Sequence, residues 1–335
     1  MKTLVCLSML VAALSSPVSA QSSPEGLQRY VPVLPAVKAR FWQIDPKLGY
    51  AVKSVGGGVY VISDNGWQSA FLVTKEGVIV FDAPASFGES IPSAIAKVTD
   101  QPIKMLVYSH AHKDHIGGSA AFKGSKDLQI IALDSVSNFL KEMNDANRLI
   151  PNVTFKTEKT LTLGGQTVEL TRHAYHSNEG DLFIYVPQAK FLMAIDCVTD
   201  GYVPFQGFDI TTNFHEYRKV FDELLAYDFD TFVGGHLTST GNRADVEINK
   251  EFTTDVYQTV KRIHNNMDFA AATAEVVNTI GPDNEFLLFK VFLDKVTNDS
   301  VKELQPRWIH RLAGVDVWLE SHVRTALIYV RWDDN

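Results

Sequence analysis

Cysteine is nearly absent from this chain, with two in 335 residues, Cys6 and Cys197. Cys6 lies in an N-terminal apolar segment, so once that segment is removed Cys197 stands alone and no intramolecular disulfide can form. The fold must be held by an apolar core, by metal, or by both. Positive charge is also scarce: 31 Lys and Arg face 39 Asp and Glu, for a formal net charge of −8. A mildly acidic chain of this kind lacks the electrostatic footprint of a nucleic-acid binder. No apolar run reaches the roughly 20 residues that span a bilayer, so a soluble protein with no membrane partner is expected. The Gly-x-Ser-x-Gly elbow, the Gly-x-Gly-x-x-Gly fingerprint and the Walker sequence are all missing. Gly56-Gly57-Gly58 has no phosphate-loop context and reads as a tight turn before a strand. Internal repeats, low-complexity tracts and blocks of like charge are absent too.

What is present begins with "MKTLVCLSMLVAALSSPVSA": one early Lys, an apolar run from Leu4 to Leu14, and a small-x-small end at Val18-Ser19-Ala20. This is the pattern of a cleaved secretory signal, and it predicts a secreted or periplasmic chain starting at Gln21. With 45% apolar residues, a sizeable core is available. Residues 21–40 contain Pro and Ser and read as a loosely packed entry segment.

Between Gly56 and Pro84, three β-branched and aromatic runs are separated by turn signals at Asp64-Asn65-Gly66 and Lys75-Glu76-Gly77, which predicts an antiparallel meander. A helix over Ser90–Val98 and a strand over Ile103–Ser109 follow. Next come a strand over Leu128–Leu133, a helix over Ser135–Ala146 with Ser135 as N-cap, and a hairpin over Leu161–Thr171 around Gly164-Gly165. A second hairpin turns at Pro187-Gln188. Phe214, Tyr217, Phe221, Leu224 and Leu225 fall at helical spacing, and "DTFVGGH" is a strand ending in His236. Mixed elements of this kind imply sheets covered by helices. From Asp245 onward the pattern becomes mostly helical, with Phe252, Val256, Val260 and Ile263 on one face. We therefore divide the chain into a signal (1–20), a catalytic domain (21–244) and a helical C-terminal extension (245–335), whose apolar stripes serve the core or a homodimer contact.

The stretch "YSHAHKDHIGGSAAF" (Tyr108–Phe122) places His110, His112, Asp114 and His115 within six residues of a chain that has ten histidines. Imidazole and carboxylate suit Zn(II), and a catalytic zinc keeps one position open. In an extended turn, His110 and His112, two apart, point the same way. Asp114 and His115 point elsewhere, so a second metal about 3.5–4 Å away would accept them. An ordinary His-rich loop predicts no further ligands at other strand ends, yet His176, Asp196 and His236 each sit at or just after one.

"HAHKDH", then His176 ahead of Gly180-Asp181, then "AID" and "GGH", resembles the metallo-β-lactamase superfamily over roughly Gly56 to Arg243. The resemblance implies an αββα sandwich with two zinc ions per chain at one edge. It assigns His110, His112 and His176 to the first metal, Asp114, His115 and His236 to the second, and Asp196 to both, with Asp82 in "VIVFDAP" supporting them from behind. Two departures stand out. The loop after His176 is one residue longer than the family pattern, which leaves His173 as a competitor for the third ligand. Antibiotic-hydrolysing members often carry Cys or a non-bridging residue where this chain has Asp196, which resembles the broader hydrolase branches. Cys197 is offset by one and reads as a small buried apolar residue.

The chemistry expected is attack on an acyl carbonyl by a metal-activated hydroxide, with Asp114 orienting it or shuttling its proton. The substrate is a small molecule: a β-lactam, lactone, or related ester or thioester. Tyr202, Phe205 and Phe208 are candidates to wall the cleft, Trp67 to cover it from a hairpin as the resemblance implies, and Asn178 to donate to an oxyanion, while Gly117-Gly118 would let the next helix start close to the metals. His215, His264, His310 and His322 have no partner pattern and read as structural. Sulfate or phosphate ester cleavage, or metal binding without turnover, are the alternatives; "HAHKDH" offers only Lys113 as a cation.

Overall fold

Alternation of apolar side chains, more than any single motif, sets the layering. The computed structural model describes residues 27–238 and 240–334; the expected signal segment and its cleavage point lie outside them. Leu27–Val31, a short segment with one 3-10 turn at Leu27–Arg29, groups apart from the compact unit Pro32–Asn335.

In that unit the first sheet runs in the order β1-β2-β3-β4-β5-β6-β7. β1 (Ala51–Gly56), β2 (Val59–Ser63), β3 (Gln68–Val73) and β4 (Val78–Phe81) form the antiparallel meander. β5 (Ile103–Val107), β6 (Gln129–Leu133) and β7 (Val153–Phe155) continue in parallel. The second sheet has the order β12-β11-β10-β9-β8. It is built from the hairpin β8 (Glu158–Leu163) and β9 (Gln166–His173), then β10 (Asp181–Val186) and β11 (Phe191–Ala194), with β12 (Thr231–Val233) parallel to β11.

Side chains of β10 and β11 show how one sheet serves two cores. Leu182, Ile184, Val186, Phe191 and Met193 face the core shared with the first sheet. Phe183, Leu192 and Ala194 face the opposite core, shared with the C-terminal helices. Because both sets are apolar and buried, a one-residue register slip would swap them between the cores and cost packing fit, typically about 1–3 kcal/mol for each badly fitting side chain. On the outer face of the first sheet lie α2 (Ile91–Ala96) and α4 (Asp134–Met143), inserting Ile91, Ala94, Ile95, Val136 and Leu140. On the outer face of the second lie α6 (Phe214–Leu225) and the helices α7 (Arg243–Asn266), α8 (Phe269–Thr279), α9 (Glu285–Trp308) and α10 (Val315–Trp332). The layers are thus α-β-β-α with a helical C-terminal region, as expected. Among the described residues no helix is long and apolar enough to cross a membrane.

Several local expectations are corrected. Helix α4 starts at Asp134 with Leu133 at its cap and no side-chain cap; Ser135 lies inside it and its hydroxyl donates to the Glu179 carbonyl instead. The supposedly loose entry is packed from Pro35 onward: α1 (Pro35–Lys38) buries Val37, and Arg40 grips Asp245 with two contacts at 2.6 and 2.9 Å. Phe208 is fully buried in the second core and lines no cleft. Gly118 serves close packing: a Cβ there would lie 2.6 Å from the Pro84 carbonyl and 2.7 Å from Gly88 Cα.

Candidate metal centre

All the candidate ligands lie at one edge of the sandwich, where strands of both sheets end. β4 is followed by Asp82, whose left-handed backbone (φ 63) is tolerated by a short polar side chain. Its Oδ1 accepts the Ser109 N–H at 2.7 Å, so Asp82 fixes the exit of β5 one residue before His110. His112 is extended (φ −67, ψ 143), and His110 and His112, two apart, reach one point as the spacing requires. A single helical turn, α3 (Lys113–Ile116), then carries Asp114 and His115 to another. The Ala111 carbonyl between the first two ligands accepts from Arg148 Nη1 at 2.8 Å.

The opposite sheet supplies the remaining three. His176 follows β9, and its N–H and that of Ser177 donate to the Asp181 carboxylate at 3.0 to 3.2 Å. The Ser177 hydroxyl donates to the Gly180 carbonyl at 3.0 Å, which closes the longer loop without moving His176 out of reach. Asp196 follows β11 with φ 60. His236 follows β12, where Gly235 (φ 98) packs so tightly that a Cβ would lie 2.9 Å from Ile195 and 3.0 Å from His115 Cε1.

These side chains form two groups: His110, His112, His176 and Asp196, and Asp114, His115 and His236. Asp196 Oδ2 faces the first, 3.4 Å from His110 Nε2 and 3.2 Å from His176 Nε2. Its Oδ1 faces the second, 3.3 Å from His115 Nε2 and 3.0 Å from His236 Nε2. His176 Nε2 is 3.0 Å from His112 Nδ1, His115 Nε2 is 3.1 Å from His236 Nε2, and Asp114 Oδ2 is 3.3 Å from His115 Nε2. Ligands about 2.0–2.2 Å from a tetrahedral ion stand roughly 3.3–3.6 Å apart, so the spacings are close to those a bound ion imposes. Two imidazole nitrogens approach this closely only when a proton or a cation lies between them. The buried His110 Nε2 and Asp196 Oδ1 make no hydrogen bond, which also fits a donor set meant for metal.

Electrostatics point the same way. Burial drives His110 well below the usual histidine value, and His112 down to about 4, helped by His176. Burial would raise Asp196, but His115, His236 and His176 outweigh it and hold the carboxyl well below its usual range. Burial likewise opposes the charged forms of His115 and His176, yet Asp196 raises the first well above its usual value and the second to about 9. Asp114, 44% exposed, is held low by His115 against its partial burial. Burial lifts Asp82 to about 6 against the pull of His115, and Asp181 to about 6 against that of His176. In such a cluster metal and protons compete for the same lone pairs.

His173 is elsewhere: it ends β9, stacks on Phe183 at 3.6 Å between centroids, and contacts Glu223 through Nδ1 at 2.7 Å. Cys197 is buried and its thiol donates to the Ala194 carbonyl. His215 contacts the Tyr329 hydroxyl at 2.8 Å, and His322, on α10, is buried against Phe208 and Phe252. Trp67 pairs through its backbone with His236, the rings 6.1 Å apart. Asn178 is exposed on the loop after His176. Tyr202 pairs with Ala313, and Phe205, 51% exposed, packs against Trp318.

Sequence reasoning did not find Gln68, whose side chain donates to the His236 carbonyl at 3.0 Å and accepts the Gly235 N–H at 3.1 Å. A polar Gln-Ser pair opening a buried strand was the available signal. Arg148 carried none, because it reaches Ala111 only through folding.

A family model described as the metallo-beta-lactamase superfamily matches residues 66–236, a span that contains every candidate ligand. The alpha subunit of 2,4-dinitroanisole O-demethylase from Nocardioides sp. (strain JS1661) is 26% identical over 203 residues, covering 58% of this chain and 60% of that subunit. Metallo-beta-lactamase IND-1 from Chryseobacterium indologenes is 24% identical over 195 residues, covering 55% of this chain and 80% of that protein. Among solved structures, the inverting sec-alkylsulfatase Pisa1 from Pseudomonas sp. aligns with a TM-score of 0.58 at 16% identity, covering 87% of this chain and 53% of that one. The chain thus spans little more than half the length of two of these three relatives.

Proposed function

Because this chain belongs to the metallo-β-lactamase superfamily, we propose that it is an exported hydrolase that binds two zinc ions and cleaves the acyl bond of a small lactam, lactone, ester or thioester. The observation that carries the reading is the division of Asp196, one carboxylate oxygen toward each group of imidazoles. His110, His112 and His176 would hold the first ion, Asp114, His115 and His236 the second, and Asp196 both. Zinc held there would supply Lewis acidity and activate water as a nucleophile at neutral pH.

The chain's own residues supply the rest. Asp82 and Ser109 hold His110 in place, and Asp181 holds the His176 loop. Asp114, the half-exposed acid of the set, orients the attacking water and passes its proton to the leaving group. Trp67 braces His236 and, with Asn178, Tyr202 and Phe205, forms the substrate side of the cleft. Export from a signal at 1–20, and a homodimer through 245–335 where Ile280, Phe286 and Trp332 are 64 to 91% exposed, complete the reading.

Sulfate-ester cleavage is the second reading, favoured by the alkylsulfatase alignment reaching into the C-terminal helices, beyond the family match. Metal analysis of the purified chain, with rates on a chromogenic β-lactam, a lactone and thioester panel, and an alkyl sulfate, separates the possibilities. Acyl turnover supports the first reading, and turnover of alkyl sulfate alone replaces it with the second. Two bound zincs with no turnover of any probe would refute both.

A further inference from the structure

Between β11 and α6 the chain makes one turn of left-handed helix, α5 (Gln206–Ile210), with φ of 61, 60, 54 and 50 at Gly207, Phe208, Asp209 and Ile210. Left-handed backbone is strained for bulky residues such as Phe208 and Ile210 and is not a run-forming conformation even where Asp tolerates it singly, so three non-glycine residues in succession persist only where their surroundings impose the conformation. Helix α10 imposes it. The Gly207 N–H donates to Ser321 Oγ and the Phe208 N–H to His322 Nδ1, each at 3.0 Å. The Phe208 ring is locked against Phe214, Tyr217, Phe252 and His322. Asp209 closes the turn by accepting the Phe205 N–H at 2.9 Å.

The exit of this turn lands on a metal ligand. The Thr211 hydroxyl donates to the Tyr175 carbonyl. Thr212 donates to the His176 carbonyl twice, from its N–H at 3.2 Å and its hydroxyl at 3.0 Å. His176 is therefore held by Asp181 at its N–H and by the braced turn at its carbonyl, while its Nε2 joins His110, His112 and Asp196. We propose that His322 and Thr212 are positioning residues for His176, so that α10, acting through the left-handed turn, sets the geometry of the first metal position. The proposal rests on the two-metal reading above. It gives the C-terminal helices a part in the frame of the site, beyond covering the second sheet.

Zinc affinity measured by competition with a chromogenic chelator tests this on the full chain, as wild type, His322→Leu, His322→Gln and Thr212→Val. Leucine removes the acceptor for the Phe208 N–H, glutamine offers an amide oxygen in its place, and valine removes only the Thr212 hydroxyl. The expected result is one of two zincs held about 10-fold or more weakly in His322→Leu and Thr212→Val, with affinity recovered in His322→Gln. Unchanged affinities in folded His322→Leu and Thr212→Val overturn the proposal. An equal loss at both zincs also overturns it, since that reports general loosening. Should His322→Leu fail to fold, Thr212→Val decides. A wild type that binds no zinc refutes the two-metal reading itself, whereas variants indistinguishable from a zinc-binding wild type refute only the positioning role.

Discussion

Replacing Asp196 with alanine tests the bridging role, because its two oxygens face different groups while each histidine faces one. Apparent zinc binding free energies of about 10–16 kcal/mol spread over four ligands assign roughly 2.5–4 kcal/mol to each, or about 10² to 10³ in affinity. His110→Ala should therefore weaken one zinc by that factor and leave the other nearly intact. Asp196→Ala should weaken both, so formation of the two-zinc form falls by about the product, 10⁴ to 10⁶. The fold should survive, since Asp196 faces the imidazoles and contributes no apolar side chain to either core. Chelator competition followed by metal analysis after dialysis reads both sites, with circular dichroism as the control for folding. If Asp196→Ala loses one zinc and keeps the second at wild-type affinity, the carboxylate does not bridge and the assignment of the two groups is wrong.

Metal content should collapse to one zinc or none in His176→Ala but stay near wild type in His173→Ala, because His173 is tied to Glu223; the reverse outcome would exchange their roles. Gly235→Ala places a Cβ against Ile195 and His115 at φ 98, so it should cost roughly 1–3 kcal/mol of stability and weaken the zinc held by His115, read by melting temperature and metal analysis. Burial holds His322 at about 3, against about 6.5 in the unfolded chain. The unfolded chain therefore binds a proton the native one refuses, and the stability from His322 is complete above pH 6.5 and falls as pH drops toward 3. At pH 5 this amounts to about 2 kcal/mol, so urea unfolding of chelated wild type between pH 7.5 and 5 should lose that much more stability than His322→Gln. Equal losses would show that His322 does not carry this pH dependence.

How much was legible in advance depended on whether the signal was local. The meander was readable because Asn65-Gly66 and Glu76-Gly77 punctuate β-branched runs, and both hairpins of the second sheet because Gly164-Gly165 and Pro187-Gln188 do the same. Strands β1 and β7 were not, since Ala51–Gly56 buries no residue fully and Val153–Phe155 is three residues long; each exists because a neighbouring strand offers it hydrogen bonds. The Ser135 cap failed because a carbonyl from the His176 loop, distant in sequence, took its hydroxyl. Phe208 was placed at a cleft wall because nothing in "VPFQGFD" announces a left-handed turn that swings its ring into a core.

The sequence by itself determined which donors this protein has: imidazoles and carboxylates at the ends of apolar strands, with the spacing His110-x-His112 that aims two of them together and a following turn that aims the next pair elsewhere. Only the tertiary structure decided how they are shared. That Asp196 faces both groups, that His173 is excluded, and that α10 reaches His176 through a strained turn depend on distances between elements far apart in the chain. Those distances are set by the packing of two sheets and their helices, which the period of an apolar pattern can announce but cannot dimension.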